Sequence, residues 1–244
     1  MNKRKIIGYL IGILFIIGLW EIIAYNVVIF PSIKLIFYNI STNLVNKLII
    51  IPIFLTIFRS FIAFLISLLF GLLTANLAYK FKLIEYIIQP TISLLRSIPT
   101  ISIILIVLMV VRLELITYLI VFIIAFPIIH QTILYSLEKI DKELILVNKM
   151  DNTNPIKNFF MFTLPMSYSG IINAIIQTFG LSIKIQIMSE LLIGSTKIKG
   201  IGVLLDYYKN NLELDKVFSI TFIVIIIVFI IELLLKRILK LIKI

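Results

Sequence analysis

The sequence predicts an all-α integral membrane helical bundle of about six transmembrane helices, each near the roughly 20 residues needed to cross the hydrocarbon. Three observations carry that class. Hydrophobic residues make up 61% of the 244, where a soluble domain holds about 45–50%. Mean hydropathy is +1.16. The apolar residues are also gathered into long runs rather than scattered. No soluble domain, long Gly/Ser linker or strong repeat divides the chain, so residues 1–244 read as one membrane domain.

The runs lie at 6–30, 53–79, 98–111, 115–137, 164–190 and 217–235. The first follows Met1-Asn2-Lys3-Arg4-Lys5, but it outlasts the roughly 7–15-residue core of a secretory signal and lacks a small-x-small cleavage pattern. It is expected to persist as an uncleaved span. The third is short and follows an amphipathic lead-in over 83–96, with Pro90 inside the lead-in and Pro99 after it. Proline removes a helical N–H and clashes with the preceding turn, so a bent or broken helix lying partly at the interface is expected.

Between the fourth and fifth runs lies a polar stretch over 137–163. It opens Leu137-Glu138-Lys139-Ile140-Asp141-Lys142-Glu143, passes through Asp151-Asn152-Thr153-Asn154-Pro155 and closes on Leu164-Pro165. Connections between helices are usually shorter. Apolar Leu144, Val147 and Phe159 alternate with charge, and 151–155 supplies a turn, so two short helices meeting at an angle are expected. Such a loop suits docking to a partner.

The net charge is +11, yet the basic residues collect at the flanks of apolar runs and form no stripe among stacking aromatics. That excludes a nucleic-acid surface. With the amino terminus inside, thirteen of the 23 Lys and Arg fall on inner flanks, seven on outer flanks and three within or beside spans. The positive-inside bias therefore places both termini and the 137–163 loop in the cytoplasm. Without cysteine there is no disulfide framework, thiolate metal site or cysteine nucleophile.

Polar chemistry concentrates in the fifth run. Asn173, Gln177, Gly180 and Lys184 fall on one narrow helical stripe, about 16 Å long. Lys184 at a helix centre would cost about 2.5–3.5 kcal/mol, so it should face protein or water. The stripe either lines a substrate path or bonds a neighbouring helix while Lys184 reaches the headgroups. Glu190 lies six residues further, about 120° round the helix, and Gly200-Ile201-Gly202 follows; spacing alone favours an outer loop with an interfacial carboxylate. His130, beside Gln131, has no metal or triad partner at a defined spacing and reads as a packing or interfacial residue. No G-x-x-x-x-G-K-[ST] loop is present, so any ATP is bound by another subunit. An enzyme would need a convergent constellation that is absent. A secondary carrier would need broken helices in paired halves, and no such symmetry is found.

The ordered elements Phe30-Pro31-Ser32, Leu95-Arg96-Ser97-Ile98-Pro99, Leu164-Pro165, Gly180 with Lys184, Ser189-Glu190-Leu191-Leu192 and Gly200-Ile201-Gly202 resemble the permease subunits of binding-protein-dependent ABC importers. The resemblance is to the nitrate, sulfonate and taurine subgroup and runs from about residue 30 to residue 240. It implies a type I importer membrane domain in the plasma or inner membrane. Its partners would be a second, identical permease subunit, a cytoplasmic ABC ATPase dimer and an extracytoplasmic substrate-binding protein. The permease would be no enzyme and hold no cofactor, ATP being bound by the ATPase. The solute implied is a small anion such as a sulfonate or nitrate, although related permeases are associated with thiamine-precursor pyrimidines. Arg96, Asn173, Gln177, Lys184 and Glu190 are the candidate path residues. In the loop, the family's Glu-Ala-Ala pattern falls on Leu146, Val147 and Asn148, and its Gly on Asn152, a residue that reaches the left-handed conformation readily. Val147, Asn148, Asp151, Asn152 and Phe159 are the candidate ATPase-coupling residues.

Overall fold

Among the described residues, five helices are long and apolar enough to cross a bilayer: α1 (Lys3–Asn26), α3 (Lys47–Lys80), α6 (Leu113–Glu138), α7 (Tyr168–Ile193) and α9 (Leu214–Leu241). Between them lie α2 (Ile33–Asn43), α4 (Lys82–Ser97), α5 (Thr100–Val110) and α8 (Ile201–Asn210). A π-helical turn at Phe159–Thr163 and a single helical turn at Leu164–Met166 lead into α7. The computed structural model describes residues 3–43, 46–141, 143–144, 154, 158–194 and 198–241, and these contain no strand. The chain is a multi-pass, all-helical membrane protein.

The third apolar run and its lead-in form two helices with a sharp bend between them, as their prolines predict. α4 and α5 meet at 101°, and α5 alone, with eleven residues, rises only about 16 Å, half the hydrocarbon core. The break sits at Ile98-Pro99, where Ile98 is extended with ψ 130°. A residue before proline is pushed out of the helical region, which accounts for that position. Pro90, by contrast, is carried inside α4 without ending it.

α3, α6 and α7 form the centre. Along α3 the buried positions include Thr56, Ser60, Ala63, Ser67, Gly71, Ala75 and Ala78, a stripe of small residues spaced by three or four. In lipid, helices associate by close packing rather than by a hydrophobic driving force, so small residues let backbones approach. At Gly71 an added Cβ would meet Ile129 Cγ2 at 2.5 Å and the His130 backbone nitrogen at 3.3 Å. One apolar cluster joins Phe64, Ile129, Ile133, Leu137, Phe179 and Ile183. A second joins Ala63, Ile104, Ile116, Ile120 and Ile185.

α1 lies outside this centre, with none of its spanning window buried. It is fastened at one end by Trp20, whose ring meets Phe30, Phe218 and Phe222 and whose Nε1 donates to the Pro31 carbonyl at 3.0 Å. Glu21 accepts the Ile33 N–H at 2.9 Å, satisfying an orphan donor at the start of α2. α2, which hydropathy did not separate from its surroundings, packs on α9 and is tied to it by Asn39 Nδ2 donating to Asp215 at 2.8 Å. At the opposite end of the bundle, Lys82 bridges Glu85 and Glu138 at 2.6 and 3.3 Å, joining the start of α4 to the end of α6.

Candidate functional site

The bend between α4 and α5 opens a cavity of about 480 Å3 against α6 and α7. Proline shapes two of its walls: Ile98 precedes Pro99 at the bend, and Pro127 interrupts the hydrogen-bond ladder of α6 where that helix faces the cavity. Ile103, Ile124, Leu181 and Met188 supply apolar lining. The polar lining consists mainly of Arg96, Thr100, Gln177 and Lys184. Gln177 and Lys184 are two turns apart on α7, about 10 Å along the axis, and both are exposed, as is Arg96.

Two cations thus border one cavity, and among the described residues neither is in an ion pair within 4.0 Å. The volume suits a small ligand. Apolar walls lower the local dielectric, which strengthens attraction for an anion and repulsion of a cation. Asn173 is exposed one turn below Gln177 on the same face but does not line the cavity.

Glu190 belongs elsewhere. It is fully buried, which overturns the reading of an interfacial carboxylate in an outer loop. Its carboxylate accepts from Thr56 Oγ1 at 2.7 Å, Gln186 Nε2 at 3.0 Å, Arg59 Nη1 at 3.2 Å and the Gly202 backbone N–H at 3.2 Å. Thr56 Oγ1 in turn accepts the Ile201 N–H at 2.9 Å. The carboxylate therefore sits at the positive end of α8, whose first N–H groups have no partner within the helix. Arg59 also donates to the Lys199 carbonyl at 2.8 Å.

Two glycines make room for this cluster. A Cβ at Gly200 would overlap the Glu190 carboxylate, and one at Gly202 would reach the backbone of α7 at Leu191 N, 2.5 Å away. α7 itself ends in Gly194, whose φ of 55° is the left-handed conformation of a helix C-cap. Ser189-Glu190-Leu191-Leu192 and Gly200-Ile201-Gly202 are consequently two halves of one clamp. It joins α3, α7 and α8 and has no share in the cavity of Lys184.

The remaining candidates are placed as follows. His130 is buried, with Nδ1 2.8 Å from Thr74 Oγ1 across the α3–α6 contact. Phe159 opens the π-helical turn before α7. Val147, Asn148, Asp151 and Asn152 lie outside the described residues. Among the described residues no group of three His, Cys, Asp or Glu could hold a metal ion.

Sequence reasoning missed Thr56, Arg59 and Gln186 as partners of Glu190, and it missed Glu232. The last lies within the apolar run 217–235 and lines a groove of about 420 Å3 with Lys184, Thr221 and Phe229. The available signal was the same for Arg59 and Glu232: an ionisable residue inside a span needs a partner or a task.

Residues 67–244 match the family described as binding-protein-dependent transport system inner membrane component. Among solved structures, the chain resembles an inward-facing conformation of the MetNI methionine ABC transporter in a selenomethionine-soaked crystal form, with TM-score 0.66 and 18% identity over 79% of this chain and 95% of that one. The native crystal form of the same transporter gives TM-score 0.62 and 16% identity, covering 80% and 98%. A crystal structure of an amino acid ABC transporter with histidines gives 0.60 and 17%, covering 80% and 92%. At these identities the likeness establishes the fold, that of type I ABC importer permeases. A comparison with curated protein sequences gives no match.

Proposed function

The chain belongs to the binding-protein-dependent transport system inner membrane component family, and we propose that it is the permease subunit of an ATP-driven importer for a small anion such as a sulfonate or nitrate. Membership makes it a transport subunit rather than an enzyme. The finer reading rests on one observation, the convergence of Arg96 and Lys184 on a single cavity that also presents Gln177.

In this reading an external binding protein delivers the solute, and two permease subunits, taken as identical, form the path between them. Arg96 and Lys184 attract the anion and replace part of its hydration, while Gln177 donates a neutral hydrogen bond. A cytoplasmic ATPase dimer grips the 137–163 loop through Val147, Asn148, Asp151, Asn152 and Phe159, and its closure rocks the permease pair. The Glu190 clamp keeps α3, α7 and α8 moving as one body during that rocking, because a buried carboxylate with several donors is costly to pull apart.

The test is reconstitution with the products of neighbouring genes. A stoichiometric ATPase should co-purify with the chain. In liposomes, ATP and the external binding protein together should drive uptake of a labelled sulfonate. Uptake by the isolated chain without ATP would overturn the reading in favour of a secondary carrier.

A further inference from the structure

Lys184 borders two cavities. One is shared with Arg96 and Gln177; the other is the groove between α7 and α9, whose lining includes Glu232 among Val224, Ile225, Val228 and Phe229. A Cβ added at Gly180 would run into Glu232 Oε1, so that carboxylate rests on α7 itself. Gly180 is four residues from Lys184, about 6 Å along the helix, within the reach of a four-carbon lysine stem.

Among the described residues, neither Lys184 nor Glu232 is in an ion pair within 4.0 Å, and the same holds for Lys236, one turn beyond Glu232 on α9. A carboxylate inside a spanning helix is costly without a cation, and a lysine there is costly without an anion. Among the described residues, the only cation in the lining of the Glu232 groove is Lys184.

We propose that Glu232 is the resting counter-ion of Lys184. The ammonium group turns to Glu232 in the α7–α9 groove when the path is empty and to the Arg96–Gln177 cavity when an anion enters. This inference rests on the reading of that cavity as an anion path. Its consequence is selectivity: a solute must offer a negative charge strong enough to displace a carboxylate, and a neutral solute of the same shape leaves Lys184 where it is.

The native chain has no cysteine, so Thr100→Cys places a single thiol in the lining of the first cavity. The measurement is the ratio of its modification rates by a sulfonate-bearing and a trimethylammonium-bearing methanethiosulfonate, with the full chain in liposomes. Glu232→Gln should raise the anion-to-cation ratio about fivefold or more, the size expected when a unit charge moves nearer the thiol in a partly dry cavity. Gly180→Ala, which displaces the Glu232 carboxylate from α7, should raise it partway, and Glu232→Asp should leave it near the parental value. Lys184→Met should lower the ratio and abolish the effect of Glu232→Gln.

If Glu232→Gln acts equally in the Lys184→Met background, the effect is the direct field of Glu232 and the proposal is overturned. It is also overturned if Lys184→Met lowers the ratio while Glu232→Gln and Gly180→Ala change nothing, an outcome that leaves the anion path standing. If Lys184→Met changes nothing, the path reading and the proposal fall together. Should Glu232→Gln not insert, Gly180→Ala decides alone.

Discussion

Replacing Glu190 by Gln tests whether the Glu190 clamp holds three helices together. The carboxylate accepts from Thr56, Arg59, Gln186 and Gly202, and an amide retains one acceptor oxygen while turning an NH2 group toward donors. Two donors lose their acceptor, and each buried unsatisfied donor costs about 1–3 kcal/mol. Arg59 also loses its charge partner, but it keeps the Lys199 carbonyl as an acceptor, which limits that loss. The sum is about 3 kcal/mol. For a chain of this length each kcal/mol moves the midpoint by about 2–4 °C, which predicts a fall of about 6–12 °C in thermal unfolding followed in lipid nanodiscs. Lys34→Gln, at an exposed position with no ion pair among the described residues, should stay within about 0.5 kcal/mol of the parent and serves as the control. A Glu190→Gln midpoint within 2 °C of the control, by the scale of about 2–4 °C per kcal/mol, would refute the assignment of a stabilising role to the clamp.

Three further outcomes follow from separate parts of the molecule. Gly71→Leu should cost about 2–3 kcal/mol or block folding, because even a Cβ meets Ile129 and the His130 backbone; detergent extraction and unfolding would show it. A single cysteine at Asn152 should react with an impermeant reagent only from the cytoplasmic side and one at Asn210 only from outside; the reverse pattern would invert the topology read from the basic residues. Val147→Asp should bury an unpaired charge against the ATPase and cost several kcal/mol of docking, removing the ATPase from a pull-down without affecting membrane insertion.

The spans were legible because hydropathy is a local property: five of the six apolar runs coincide with spanning helices. The sixth was read as bent, and the bend lies at Pro99 because the extended residue before it ends α4, whereas Pro90 does not. α2 and α8 were illegible for a different reason. Each is short, and α8 begins at a Gly-Ile-Gly whose glycines permit turns and close backbone approach alike, of which the structure uses close approach to Glu190. Gln177 and Lys184 were found together through helical periodicity. Arg96 joined them through the family resemblance, since no spacing rule relates a residue at a helix bend to a stripe 77 or more positions away. Arg59 and Glu190, 131 residues apart, met the same limit. Burial then reversed the reading of Glu190 itself, because sequence spacing records where a carboxylate stands along a helix and not what packs around it.

The central claim is that two cations in one cavity select the solute. Uptake of a labelled sulfonate by the reconstituted importer, compared across Arg96→Met, Lys184→Met and the double variant, measures it most directly. Each charge contributes about 1–3 kcal/mol to holding an anion, so each single variant should raise the half-saturating concentration about tenfold and the double variant further, with ATPase assembly unchanged. Uptake by the double variant at the parental concentration dependence would contradict the account.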